Sequence, residues 1–287
     1  MIPLLQAMAS GILMGALYAL IASGFALILG AARVFNLAHG ELVILGAYLG
    51  YGLWSAHRLH PLLASPLAVL LLIPLTVSLR PLLAKLKGPF ELKALVLTFS
   101  LSLLLQNVMR ALFTSNYRLI MVPAFEEGVP LGPVRVAQGR LLTAGLALAL
   151  LAILHIVLHH TFLGKAMRAV VQDREAASLM GIDAKRMELY VLGLGGAMAG
   201  LAGPLFASLH YITPTAGFDI TIIALILTIF GGTGSLPGLF LGGLIFGSAE
   251  ALAVAFWGAQ WKEFVSFLVL LLLFQWRAFG LLSGRRA

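Results

Sequence analysis

MIPLLQAMASGILMGALYALIASGFALILGAA, Met1 to Ala32, contains no charged side chain. A helix rising about 1.5 Å per residue crosses roughly 30 Å of hydrocarbon in about 20 residues, and this run exceeds that length. It has no basic leader and is too long for a signal-peptide core, so it predicts a retained first membrane span. Similar apolar runs recur at approximately 4–29, 38–55, 62–79, 94–114, 141–160, 189–210, 218–231, 237–255 and 262–280. The composition agrees. Of 287 residues, 61% are hydrophobic and 10% charged, where soluble domains are about half apolar and a quarter charged. Mean hydropathy is +1.02. The short alternating segments of a membrane β-barrel are absent. The expected fold is all-α and polytopic: a single transmembrane domain over residues 1–287, with about eight or nine membrane segments.

The net charge of +8 does not point to nucleic acid, because the basic residues fall in short loops between apolar runs rather than on one face. That distribution marks cytoplasmic loops. Loop 80–93 holds Arg80, Lys85, Lys87 and Lys93 against Glu91, and segment 161–188 holds Lys165, Arg168, Arg174, Lys185 and Arg186. Both are placed inside, with the C-terminal Arg277, Arg285 and Arg286. Counting alternately puts loop 115–140 and the N-terminus outside. Segment 218–231 is barely long enough to span, so it and 237–255 form either two spans or one broken, re-entrant element. In the second case eight spans with the opposite N-terminal orientation result. The chain has no cysteine, hence no disulfide.

Two helix-breaking stretches stand out, RVFNLAHGE (Arg33 to Glu41) and FGGTGSLPG (Phe230 to Gly238). One lies in each half, and paired interruptions in corresponding positions point to a transport site between inverted repeats. No residue-level similarity joins the halves. Polar and ionisable groups at membrane depth mark function by default, which singles out Asn36, His39 and Glu41, with Gly40 beside them, as candidates for a translocation path. The structural alternative has Asn36 capping a helix that starts near Leu37, with Glu41 in its first turns. Gly231, Gly232, Gly234 and Ser235 either aim a half-helix N-terminus at an anion or serve close packing. His39 has no metal-spaced partners. No hydrolase triad, paired aspartates or His-Glu-x-x-His is present.

GKAMRAVVQDREAASLMGID, Gly164 to Asp183, is a charged amphipathic stretch amid apolar neighbours. By itself it reads as a solvated helix, one lying on anionic headgroups, or a docking element. In the docking case the alanines allow close seating, Gly181 turns the chain, and Val170, Leu179 and Met180 bury against the partner.

Within this stretch, Glu175-Ala176-Ala177 followed by Gly181 resembles the coupling helix of ATP-binding-cassette (ABC) importer permeases. GALYALIASGFALILGAARVFNLAHGELVILGAYLGY, Gly15 to Tyr51, resembles the N-terminal signature of the branched-chain amino acid permease family. HYITPTAGFDITIIALILTIFGGTGSLPGLFLGGLIFG, His210 to Gly247, resembles that family's Ile-x-Pro-x-x-Gly-Phe stretch and glycine-rich turn. Many importers continue to a Leu-Pro after the coupling glycine; KRMELYVLGLGG stands here instead, which argues for the branched-chain subgroup.

The resemblance implies the smaller permease subunit of an importer in the cell inner membrane. It implies a second permease of a different chain, two cytoplasmic ATPases, and an extracytoplasmic binding protein that delivers leucine, isoleucine or valine. Arg168, Arg174, Glu175, Ala176, Ala177, Leu179 and Gly181 would couple to the ATPases. From residue chemistry rather than the resemblance, Glu41 could answer the ammonium of a passing amino acid and Asn36 bond its carboxylate, against the capping alternative above. The chain has no P-loop, so it is expected to bind no cofactor and to leave ATP to its partners. A stand-alone secondary transporter or channel is the alternative; it would need buried charge clusters, and apart from Glu41 the predicted spans hold almost none. A lipid enzyme would need a polar catalytic group within the spans, and none is visible.

Overall fold

The computed structural model describes residues 2–87 and 89–261, with 264, 265, 267–269, 271, 272 and 275. Most of the predicted segment 262–280, with the C-terminal arginines, lies outside the described residues. Helix α1 (Ile2–Leu27) runs into a π-helical turn, Ile28–Ala32. There follow α2 (His39–His57), α3 (Pro61–Val77), a short α4 (Leu79–Lys85) and α5 (Phe90–Phe113). The second half holds α7 (Gln138–His160), α8 (Phe162–Gln172), α9 (Arg174–Leu179), α10 (Ala184–Ala207), α11 (Gly217–Gly231) and α12 (Leu236–Trp257). Among the described residues six helical stretches are long and apolar enough to cross a membrane, and α11 is a shorter apolar helix.

Between the halves, loop 115–140 carries a one-turn helix, α6 (Pro123–Glu126), and a hairpin of β1 (Gly128–Leu131) and β2 (Val134–Ala137). This hairpin is the departure from the expected all-α architecture. Its two-residue turn is Gly132-Pro133, with φ +64° at Gly132, a positive φ that glycine tolerates. Gln6 Nε2 donates to Arg135 O at 2.6 Å, so the start of α1 and this loop share one end of the bundle. Loop 80–93 and segment 161–188 meet at the other end, as the alternating count expects.

The core is α1 and α10, whose spans are 78% and 67% buried, against 28% to 39% for α3, α5, α7 and α12. Small residues make this packing close, since lipid supplies no hydrophobic drive between helices. A methyl group at Gly15 or Gly11 of α1 would overlap the backbone of Gly243 or Gly247 on α12. The pairings repeat: α1 lies on α12 as α10 lies on α3, α1 touches α11 as α10 touches α2, and α1 meets α10 directly. Exchanging α1, α2 and α3 for α10, α11 and α12 therefore preserves the contacts.

That exchange corrects one expectation. The counterpart of the break at 33–38 is 208–216, which joins α10 to α11. The glycine turn 231–235 joins α11 to α12 and corresponds to residues 58–60 between α2 and α3.

Candidate functional site

The π-helical turn that follows α1 ends at Arg33, which takes a left-handed conformation at φ 54°, and the chain turns back into the bundle. Asn36 Oδ1 accepts from Ala38 N at 3.1 Å, and Asn36 O accepts from His39 N at 3.1 Å. Helix α2 thus starts at His39, two residues beyond the expected Leu37. Its N-cap is Ala38, which makes no side-chain capping bond, so Asn36 forms the turn before the helix. The His39 ring lies with Nε2 3.0 Å from Ile21 O and its face 5.7 Å from Phe25.

Three other helices supply polar groups to this break. From α5, Gln106 Nε2 donates to Glu41 Oε1 at 2.8 Å, and Thr98 donates to Phe35 O at 3.0 Å. From α11, Thr221 Oγ1 accepts from Gly40 N at 2.8 Å and sits 3.3 Å from Leu37 O. α1 supplies the Ile21 carbonyl. Asn36, His39 and Glu41 have no exposed surface. Asn36 Nδ2, His39 Nδ1 and Glu41 Oε2 have no hydrogen-bond partner among the described residues. Such groups in a low-dielectric interior are costly unless something answers them.

The first turn of α11 completes the cluster. A Cβ on Gly217 would lie 2.7 Å from Glu41 N and 2.9 Å from Glu41 Cδ. α2 and α11 therefore begin side by side and run to opposite ends of the bundle. α2 climbs toward His60, whose ring packs 5.1 Å from Phe125 in the hairpin loop. α11 descends to Gly231, beside Thr233, which packs on Gly30. Each start carries roughly half a positive charge, so two positive helix ends flank the Glu41 carboxylate.

The structure does not bring Gly231, Gly232, Gly234 and Ser235 into this cluster. They lie 14 or more residues along α11 from Gly217, or about 21 Å at helical rise. Gly231 packs against the Gly238 backbone, Gly232 takes φ +82°, and Ser235 Oγ caps α12 by accepting from Gly238 N at 3.1 Å. Gly234 and Ser235 face α8 across a cavity of about 230 Å³ that Arg168 and Gln172 also line.

Segment 161–188 is a set of capped turns. Thr161 caps α8; Asp173 Oδ1 accepts from Glu175 N and Ala176 N at 2.9 and 3.0 Å; Asp183 Oδ1 accepts from Lys185 N and Arg186 N at 3.0 and 3.2 Å. α9 closes with Gly181 N donating to Ser178 O and Ile182 N to Ala177 O, both at 3.0 Å, around Gly181 at φ +84°. This is a Schellman motif. It leaves Leu179 and Met180 88% and 84% exposed.

Three residues expected to face a partner face this chain instead. Val170 and Ala177 bury with Ala184, because α9 folds back over α8 and α10 and needs an apolar face of its own. Arg174 Nη1 lies 2.5 Å from Glu188 Oε1, and Arg80 Nε lies 2.6 Å from Glu188 Oε2. Buried Glu188 thus ties α9 to α4 and α10. Glu175, Ala176, Leu179 and Gly181 remain exposed, and Arg168 is half-buried. Sequence reading missed Gln106, Thr221, Gly217, Arg80 and Glu188 as site residues. A glutamine inside an apolar run was the one available signal among them.

A family profile described as branched-chain amino acid transport system / permease component matches residues 7–274. The chain belongs to that family. The permease is 31% identical to the high-affinity branched-chain amino acid transport system permease protein LivH of Salmonella typhimurium, over 93% of this chain and 92% of that protein. It is 29% identical to the corresponding protein BraD of Pseudomonas aeruginosa, over 97% of this chain and 95% of the relative. A probable branched-chain permease LivH of Methanocaldococcus jannaschii is 29% identical over 82% of this chain and 76% of its own length. The permease is a multi-pass protein of the cell membrane.

Proposed function

We propose that the permease is one of two membrane subunits of an ATP-binding-cassette importer, carrying branched-chain or other hydrophobic amino acids inward across the cell's inner membrane. The observation that carries this is the tip of α9. A membrane protein leaves two adjacent large apolar side chains, Leu179 and Met180, on a rigid, charge-flanked turn only at the expense of hydration, unless a partner covers them. Two cytoplasmic ATPases grip such tips, one on this chain and one on a second, different permease, and a binding protein delivers substrate from the opposite side. ATP is bound and hydrolysed by the ATPases alone.

The central cluster supplies the gate. Glu41 and Asn36 sit where α2 and α11 start, so a shift of either half-helix opens or closes this level without breaking a continuous span. ATP-driven closure of the ATPases displaces the tip, and α8 to α11 carry the displacement inward, opening the outer side; hydrolysis restores the inward-facing state.

The test is reconstitution of the permease with its partners in vesicles, followed by labelled leucine uptake. Uptake is expected to require ATP and to stop when the ATPases are omitted. Gradient-driven uptake by the permease alone would refute the reading in favour of a secondary transporter.

A further inference from the structure

A second polar cavity, of about 420 Å³, lies between α1, α7 and α12 at the hairpin end. Its α1 wall runs from Pro3 to Tyr18, about 22 Å of helix. It reaches from the bundle's end to within one turn of Ile21, whose carbonyl holds His39. Much of its wall is aliphatic, including Met14, Ala251 and Val254. Glu250 of α12 is 8% exposed and lies at the level of Gly11, midway along this wall, and Tyr18 Oη donates to its Oε1 at 3.2 Å. His210, from the segment that joins α10 to α11, also lines the cavity. Arg140, two residues into α7, lines it just past the hairpin.

A carboxylate within an apolar span marks a functional position, and Glu250 lies about two turns inside the end of α12. The described residues contain no group of three metal-ligating side chains. The cavity is lined by a carboxylate, a guanidinium and aliphatic side chains. A pathway for a lone cation would not be lined by a guanidinium. A molecule with an ammonium, a carboxylate and an aliphatic side chain complements all three features, and the volume falls in the range of about 300–1,000 Å³ usual for small-ligand sites.

We propose that this cavity is a receiving site for a zwitterionic aliphatic amino acid, with Glu250 and Tyr18 taking the ammonium and Arg140 the carboxylate. The proposal rests on the importer reading and adds a substrate site on the membrane subunit itself. Glu250 lies beside Gly11 of α1, and the His39 start of α2 lies beside Ile21, about 15 Å further along α1.

The assay is binding of labelled leucine to the assembled complex in nanodiscs, without binding protein, competed by leucinamide, which lacks the carboxylate, and by N-acetylleucine, which lacks the ammonium. Losing one charge-assisted contact is expected to weaken leucine binding about ten- to a hundredfold in E250Q and in R140Q. R140Q should lose the preference for leucine over leucinamide, and E250Q the preference over N-acetylleucine. Arg140 is half-buried at a helix start, so R140Q keeps the test open should E250Q fail to fold. No saturable binding to the wild type overturns the proposal, as does unchanged leucine affinity in R140Q, or a loss in R140Q that is equal for all three compounds. If wild-type vesicles still show ATP-driven leucine uptake in those cases, the cavity assignment fails and the importer stands. If they show none, both fail.

Discussion

Gly181 offers a substitution whose energetic effect is separable into backbone and contact parts. Its φ of +84° is a left-handed conformation, and a Cβ built there meets nothing within 4 Å. In the permease alone, Gly181→Ala therefore introduces no clash, only the left-handed penalty of about 1–2 kcal/mol. Asparagine tolerates this region better, so Gly181→Asn is expected to lose less. If residue 181 abandons the left-handed region, the bonds from Gly181 N to Ser178 O and from Ile182 N to Ala177 O go with it, and Leu179 and Met180 lose their fixed presentation. A penalty of 1–2 kcal/mol corresponds to a shift of about 5- to 30-fold in the population of the correct turn.

The assay is ATP-driven leucine uptake and ATPase co-purification for Gly181 and its Asn, Ala and Arg variants at equal membrane abundance. The expected order is Gly, Asn, Ala. Gly181→Arg carries the same backbone penalty as alanine plus any clash with the ATPase, and is expected to abolish coupling. Alanine above asparagine would refute the backbone reasoning, since side-chain volume would then decide. Normal transport by Gly181→Arg would refute the docking assignment.

Glu188→Gln removes the charge that holds Arg80 and Arg174, whose side chains are 25% and 37% exposed. With screening at that exposure, a loss of about 1–2 kcal/mol is expected, seen as a lower melting temperature and fewer leucines moved per ATP; unchanged stoichiometry would show that the clamp carries no motion. Glu41→Gln keeps an oxygen to accept from Gln106 but removes the charge, so uptake is expected to fall more than membrane abundance. Equal losses, read by immunoblot against uptake, would assign Glu41 to folding.

The membrane class was legible because charge-free runs leave no other option; α1 ends within a few residues of its expected limit. The depth of each break was not. Glycines in FGGTGSLPG announce a turn, but a turn at the bundle's end and one at its centre have the same local chemistry. The true counterpart of RVFNLAHGE, residues 208–216, has no glycine, and the hydropathy pattern ran segment 189–210 into it and left 211–216 between segments. Its position shows only in contacts such as Arg118 with Ile212. Likewise Val170 and Leu179 are equally apolar, and the sequence does not say which meets this chain and which faces out. The bond from Arg80 to Glu188 joins residues 108 apart, beyond any local pattern. The 128–137 hairpin was missed because its strands are too short for alternation to register.

The glycine turn, displaced from the central cluster, has its own place in the proposed mechanism. A helix interior satisfies its own backbone groups, but each end leaves up to four unpaired, and in hydrocarbon such ends survive only where protein answers them. α2 and α11 place their first turns at the centre, where Thr221 receives Gly40 N and Asn36 receives Ala38 N. A shift there exchanges a few hydrogen bonds and leaves both helical ladders whole. At its far end α11 stops at Gly231, in the turn that faces Arg168 and Gln172 of α8 across the small cavity. One 15-residue helix thus touches the coupling segment's surroundings at one end and Glu41 at the other. In the proposed mechanism, motion at α8 is relayed to the buried carboxylate through this one helix.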